Sequence, residues 1–387
     1  MSDIFCGKGT QVSYDDYMAL INRVFGFTTP EQMFEGLLPK LYQPHLKPQD
    51  SSYVVTEDGQ VVAAVGAYDH QIRVCGVDIP CRGIGNVAVA PETRGKGYMI
   101  SCMNAALQDM VKDGIALSTL GGRRQRYQYF GYDKAGPAYT FYVTSDNLRH
   151  TYGTTDAPFD TFVQVQREDT QTIAQIKALC DTGRYAPQRD SHMFVDIAET
   201  WHAKLYAVSH EGQFKGYCIL EPSGTISEIK ATAPQDFMPL LRTIFAGYNN
   251  GGMSVRLPVF DDAYARELVK VADGGNMCCS MCYNVLNYAL ILQAFFNLKA
   301  TYTTLADGEL TLLVHGFARD ERLRISVKEG VACVQTLPDE SPVNYEWSHL
   351  EATEMLFSPI SPSRADLPLF ARDWFPLPLW MYRADEV

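Results

Sequence analysis

No apolar run in this chain approaches the ~18 residues of a membrane span, so nothing in it reads as a transmembrane helix. Long basic runs are missing too. With 33 Lys and Arg against 45 Asp and Glu the net charge is −12, which argues against nucleic acid, whose phosphates demand a cationic surface. The G-x-x-x-x-G-K-[ST] of a nucleotide P-loop, the H-E-x-x-H of a zinc protease and the G-x-S-x-G of a serine hydrolase are all absent. The eight histidines form no ligand cluster, and no metal site is expected. The start, Met1-Ser-Asp-Ile-Phe5, carries no basic-then-apolar leader, and a cytoplasmic location is expected.

What remains is an ordinary globular composition, 46% apolar and 20% charged over 387 residues, enough for two or three units. Ten cysteines are scattered, several inside apolar patterns, as free thiols in a reducing compartment would be. Cys279-Ser-Met-Cys282 is a C-x-x-C, but it has no second Cys pair or nearby His and continues into an apolar, strand-like run. The acidic balance suits cationic partners such as polyamines or aminoglycoside-like amines; it equally serves solubility.

The most informative segment is Val87-Ala88-Val89-Ala-Pro91-Glu-Thr-Arg94-Gly95-Lys96-Gly97-Tyr98. It reads as a strand, a Gly-rich turn and a helix start. Met99, Cys102, Met103, Ala106, Leu107, Met110 and Val111 follow at the spacing of one helical face. Free N–H groups and the macrodipole at a helix N-terminus attract an anion, and glycines let the backbone approach it, which suits a diphosphate. Gly83-Ile-Gly85-Asn-Val-Ala88 imitates a dinucleotide loop, yet it leads into a strand where that loop should open a helix. Upstream, Tyr17, Leu20, Ile21, Val24 and Phe25 mark a first helix behind Ser13 and Asp16 in capping-box positions. Two apolar runs around Asp58-Gly59 mark a hairpin. Strands are expected at Ile115–Leu120 and near Tyr139–Val143.

V-x-V-x-P-x-x-R-x-x-G running into a helix resembles motif A of the GNAT acetyltransferases. Tyr127-Gln-Tyr-Phe130-Gly-Tyr132 resembles the Y-x-x-F-G-Y segment near the end of that domain. Residues 145–158 are polar and turn-rich and are expected to be a linker closing a first unit near residue 150. A faint copy follows. Leu205–Cys218 repeats the hairpin around Glu211-Gly212, Ile226–Ile229 the strand, Ala233-Pro234-Gln-Asp236 the turn, and Phe237, Leu240, Leu241, Ile244 and Phe245 the helix, without the Arg-Gly-Lys-Gly loop. The last unit reads as a helix at Tyr288–Leu298, strands at Leu310–Val314, Leu323–Val327 and Val331–Gln335, and a helix at Trp347–Phe357. Its aromatic tail Trp374–Tyr382 should be docked.

In this order the chain resembles the Eis-type N-acetyltransferases, also at Arg189-Asp-Ser-His-Met193 ahead of Trp201 and at Pro338-Asp339. The resemblance implies an α+β fold of two tandem GNAT units with mixed sheets flanked by helices, plus a sterol-carrier-protein-like α+β domain. The divisions would be 1–150 (catalytic), 151–283 (degenerate) and 284–387, the last bringing the C-terminus to the active site. It implies acetyl-coenzyme A as co-substrate, contacted by Val87, Ala88, Val89, Arg94, Gly95, Lys96, Gly97, Tyr98, Met99 and Ile100, with Gly122 and Arg123 as a further pair. Tyr127 falls on the general acid and the Val387 carboxylate on the general base. Related chains often end in an aromatic residue, so Val387 departs from the pattern, and Asp385 and Glu386 are neighbouring alternatives.

The chemistry explains the choice. An amine of pKa ~10 must lose a proton to attack a thioester, which a carboxylate accomplishes; a backbone N–H near Val89 would steady the oxyanion; and a tyrosine protonates the departing thiolate. The expected partner is a small-molecule or peptidic amine, with no nucleic acid and no membrane, in a homo-oligomer that by resemblance is a hexamer. Two other readings share these residues: an acyl-coenzyme A or lipid carrier without turnover, and an acetyltransferase for protein lysines or N-termini.

Overall fold

The structure, a computed structural model, describes residues 3–248 and 251–387; Met1 and Ser2, where a leader was looked for, lie outside it. Turn chemistry builds the first strands. Asp58 and Gly59 take left-handed φ values of 50° and 79°, the twist a two-residue hairpin turn requires, and join β2 (Ser52–Glu57) to β3 (Gln60–Val74). A short edge strand, β1 (Ile4–Lys8), pairs with β2, and β3 turns into β4 (Val77–Val89). The first helix, Tyr14–Phe25, starts where Ser13 accepts a hydrogen bond from the Asp16 N–H at 3.1 Å. The helix Tyr98–Lys112 then leads to β5 (Leu117–Leu120), parallel to β4.

After β6 (Asp133–Thr144) the plan is repeated. Beyond β7 (Thr161–Gln164) and β8 (Tyr185–Pro187) come β9 (Lys204–His210) and β10 (Gln213–Leu220), joined by Glu211-Gly212 at φ 51° and 73°. β11 (Thr225–Ala231), the helix Phe237–Tyr248 and the parallel β12 (Gly252–Pro258) follow. Then β13 (Gly274–Val285) closes the large sheet, which runs β1-β2-β3-β4-β5-β13-β6-β12-β11-β10-β9-β7, with β8 on the free end of β3. The last strand of each half has crossed over: β6 pairs with β12, and β13 pairs with β5. The two exchanged strands pair with each other at the centre. Position 150 falls within the helix Ser145–Tyr152, and position 283 within β13.

Two expectations are corrected. The polar stretch after residue 144 is a helix, Ser145–Tyr152, not a linker: Thr144 accepts from the Asn147 N–H (3.1 Å) and Asn147 accepts from the Thr144 N–H (2.8 Å). Leu148 is its one buried residue, so little apolar period was there to read. Trp347 lies in a strand, and the helix begins at His349, where Ser348 and Glu351 form the capping box.

The C-terminal unit is a second sheet, ordered β16 (Val331–Thr336), β15 (Asp320–Lys328), β14 (Gly308–His315), β17 (Tyr345–Ser348), covered by the helix Tyr288–Ala300. Its core is continuous with Ile72, Val74, Ile79 and Cys81 of β3 and β4 and with the buried tail residues Trp374, Leu377, Leu379 and Trp380. Lys299 donates to the Trp374 and Pro376 carbonyls (2.8 and 3.2 Å), and Tyr185 to the Trp380 carbonyl (2.6 Å). The aromatic tail is docked, as its composition implied. No helix among the described residues is long and apolar enough to cross a membrane.

His349 braces the segment that holds Tyr127. The Phe317 N–H donates to its Nδ1 (3.2 Å), which leaves Nε2–H to donate to the Gly131 carbonyl (2.9 Å). Burial pushes this imidazole down to about 4. Below its ordinary pKa near ~6.5 the unfolded chain therefore takes up a proton that the folded chain refuses, and stability is lost as pH falls from there toward the folded value. Melting curves should show about 2 kcal/mol less stability at pH 5 than at pH 7 from this group, and His349→Gln should flatten that dependence.

Candidate active site

β4 is hydrogen-bonded to β5 only from Cys81 to Ile84. Its last residues, Gly85–Val89, run on without a partner on that side, so the sheet opens into a wedge there. The helix Tyr98–Lys112 starts beside this wedge with Gly97 as its N-cap. Gly95 and Gly97 have φ of 86° and 83°, and a Cβ on either would meet nothing within 4 Å. The glycines are therefore demanded by the backbone, and they face open space. A cleft of about 660 Å³ lies over them.

That cleft gathers most of the residues expected to contact the co-substrate. Val87 and Val89 line it from β4, Arg94, Gly95 and Gly97 from the loop, and Tyr98, Met99 and Ile100 from the helix. Ala88 does not join them; strand alternation turns it into the core. Lys96 turns aside as well, with its ammonium 2.7 Å from Glu57, to which Tyr98 also donates. Gly122 and Arg123 are not among the lining residues. Gly122 lies against Tyr127, and a Cβ there would come within 2.6 Å of the ring. Four further residues line the cleft that sequence reasoning did not assign to it: Val24 and Phe25 at the end of the first helix, Thr93 ahead of the loop, and Arg126. The signal for Arg126 was its place in Arg123-Arg124-Gln-Arg126; Arg124 is occupied by Asp133.

Tyr127 is buried, in the same cluster as Val87, Val89 and Val387. Burial raises its phenol above the usual tyrosine range, and the adjacent Arg126 charge offsets only part of this. The chain terminus packs into this cluster as well. A Cβ at Gly83 would lie 2.5 Å from Val387 Cγ2, and one at Gly85 would lie 3.1 Å from the Val387 carboxyl carbon. The glycine pair that imitates a nucleotide loop in sequence is a side-chain-free seat for the C-terminus.

The seat has a defined shape because β4 is bulged next to it. Asn86 takes a left-handed φ of 40°, and the register with β3 slips between Ala64 and Gly66. Its buried amide makes three hydrogen bonds: Oδ1 accepts from Tyr42 (2.8 Å) and Tyr68 (3.2 Å), and Nδ2 donates to Tyr17 (2.9 Å).

The two carboxylates next to Val387 are committed elsewhere. Asp385 receives two 2.8 Å bonds from Arg189. Burial alone would raise the Asp385 carboxyl, but Arg189 outweighs it and holds it below the usual range. Glu386 is paired with Arg383, and burial raises it. Upstream, Lys40 (2.5 Å) and Thr200 (3.3 Å) both donate to the Ala384 carbonyl. Burial pushes Lys40 down to about 8. Among the described residues no group of His, Cys, Asp and Glu is placed to hold a metal ion.

The family model described as an acetyltransferase (GNAT) domain matches residues 8–135, which contain the wedge, the loop and Tyr127. No curated protein matches the chain significantly in sequence. Solved structures resemble it over nearly its whole length. The GCN5-related N-acetyltransferase from Anabaena variabilis has 15% identity and a TM-score of 0.69 over 100% of both chains. Eis1 from Mycobacterium abscessus has 14% identity and a TM-score of 0.60, covering 99% of this chain and 98% of that one. The GCN5-related N-acetyltransferase from Kribbella flavida has 18% identity and a TM-score of 0.63, covering 88% and 85%. At such identities the likeness is one of fold. Residues 8–135 form a GNAT acetyltransferase domain, a fold that binds an acyl-coenzyme A co-substrate. Across its full length the chain has the Eis-type fold.

Proposed function

We propose that the protein transfers an acetyl group from acetyl-coenzyme A to a primary amine by direct attack in a ternary complex. The observation that carries this reading is the seating of Val387 on Gly83 and Gly85 of β4, the strand whose next residues, Val87 and Val89, line the loop cleft. In this reading the helix N-terminus, Gly95 and Gly97, with Arg94 and Arg126 at the cleft wall, hold the co-substrate's diphosphate. The Val387 carboxylate draws in the ammonium and takes its proton, and Tyr127, kept protonated by burial, returns one to the departing sulfur. Two reactants held side by side need no covalent acetyl-enzyme. Burial also raises the Cys81 and Cys102 thiols, which suits thiols that serve packing.

The acceptor class in this reading is an amine, and an aminoglycoside-like or other polycationic amine, a peptidic amine and a protein lysine or N-terminus are its members. Thiol release from acetyl-coenzyme A should rise above the hydrolytic background with at least one amine of such a panel, with saturation in both substrates. Absence of acetyl-coenzyme A binding by calorimetry would refute the proposal, and binding without turnover for every amine class would favour a carrier.

A further inference from the structure

We infer that Arg189 is a positioning residue for the chain terminus, and that through it the second half of the large sheet becomes part of the active site. The inference rests on the terminal carboxylate being the base. Arg189 lies in the loop after β8, and its guanidinium is shared by two carboxylates. One is Glu228 on β11, at 3.0 and 2.7 Å; the other is Asp385 in the tail, at 2.8 and 2.8 Å. The side chains of all three are buried, at 3%, 1% and 9% exposure. Glu228 takes a further bond from Tyr217 at 2.5 Å, and the guanidinium lies 5.6 and 5.5 Å from the ring centroids of Phe194 and Tyr382.

A buried ionic triad of this kind is a poor source of net stability, because desolvation consumes most of the attraction; its best-attested use is to fix a register. Here the register concerns the last three residues. Two extended residues span at most ~7 Å, so once Asp385 is fixed the Val387 carboxylate is confined to a small volume over Gly83 and Gly85. The Lys40 and Thr200 bonds to the Ala384 carbonyl hold the backbone, but they leave rotation at Asp385 and Glu386 open. The bidentate Arg189–Asp385 contact fixes Asp385, since a planar fork admits a single carboxylate orientation, and the Arg383–Glu386 pair restrains the residue after it. A displaced terminus would no longer meet the amine, and ~1 Å of misplacement can cost ~100-fold in rate.

The test uses the full-length enzyme with Arg189→Lys and Glu228→Gln, which keep a hydrogen-bonding group at each position. Per folded molecule, kcat should fall roughly 10- to 100-fold for Arg189→Lys and less for Glu228→Gln, with the KM for acetyl-coenzyme A within about twofold. Carboxypeptidase, followed by intact mass, should remove Val387 and Glu386 from both variants at least about tenfold faster than from the parent, while circular dichroism stays native. If Arg189→Lys folds, resists trimming and turns over like the parent, Arg189 is only structural and the inference fails. If a chain extended past Val387 keeps full turnover, the terminal-base reading fails instead. If the extension abolishes turnover while both clamp variants keep it, the base stands and the clamp alone is refuted.

Discussion

A chain lengthened by a short Gly-Ser extension after Val387 should lose about 10²- to 10⁴-fold in kcat, the range that a positioned acid or base contributes. The extension converts the terminal carboxylate to an amide and leaves every side chain in place. The KM for acetyl-coenzyme A should stay within about twofold, because Arg94, Gly95 and Gly97 lie in a cleft that Val387 does not line. Removing Glu386 and Val387 together should give the same loss, with calorimetry still reporting co-substrate binding. Full activity in the extended chain would refute the terminal base. The neighbouring carboxylates make the experiment sharp: Asp385 is bound by Arg189 and Glu386 by Arg383, so neither is free to take over.

Tyr127→Phe should lower kcat by about 10²-fold or more while leaving the Kd for acetyl-coenzyme A nearly unchanged, since it removes only the proton donor. The ring stays packed against Gly122, so the variant should melt like the parent. The pH dependence separates this role from a packing role. Burial raises the Tyr127 phenol, so in the parent the donor remains protonated past the usual tyrosine range and a falling alkaline limb from this group lies beyond it. Tyr127→Phe should therefore be equally slow across pH 7 to 9. A rate equal to that of the parent, or a deficit present at one end of that range only, would rule Tyr127 out as the acid.

Local chemistry made much of the fold legible in advance. Asp58-Gly59 and Glu211-Gly212 adopt left-handed turns because glycine and a small set of residues tolerate positive φ, and both hairpins lie where that chemistry placed them. Ser13 caps the first helix, and the helix after the Gly-rich loop follows the apolar period of its sequence. Reading failed where a single polar residue decides the structure, as with the Thr144–Asn147 cap, or where an aromatic residue suits strand and helix alike, as with Trp347.

The site divides along the same line. The Arg94–Gly97 loop is a run of consecutive residues whose dihedrals are set locally, so the sequence by itself determined a Gly-rich turn that opens a helix. The exchange of β6 and β13, the seat of Val387 on Gly83 and Gly85, and the bond between Arg189 and Asp385 join residues far apart in the chain. Those pairings depend on which surfaces can be buried together. Gly83 and Gly85 look like a loop in sequence and serve as a floor in the fold, because the space above a glycine is visible only once the rest of the chain has come to fill it.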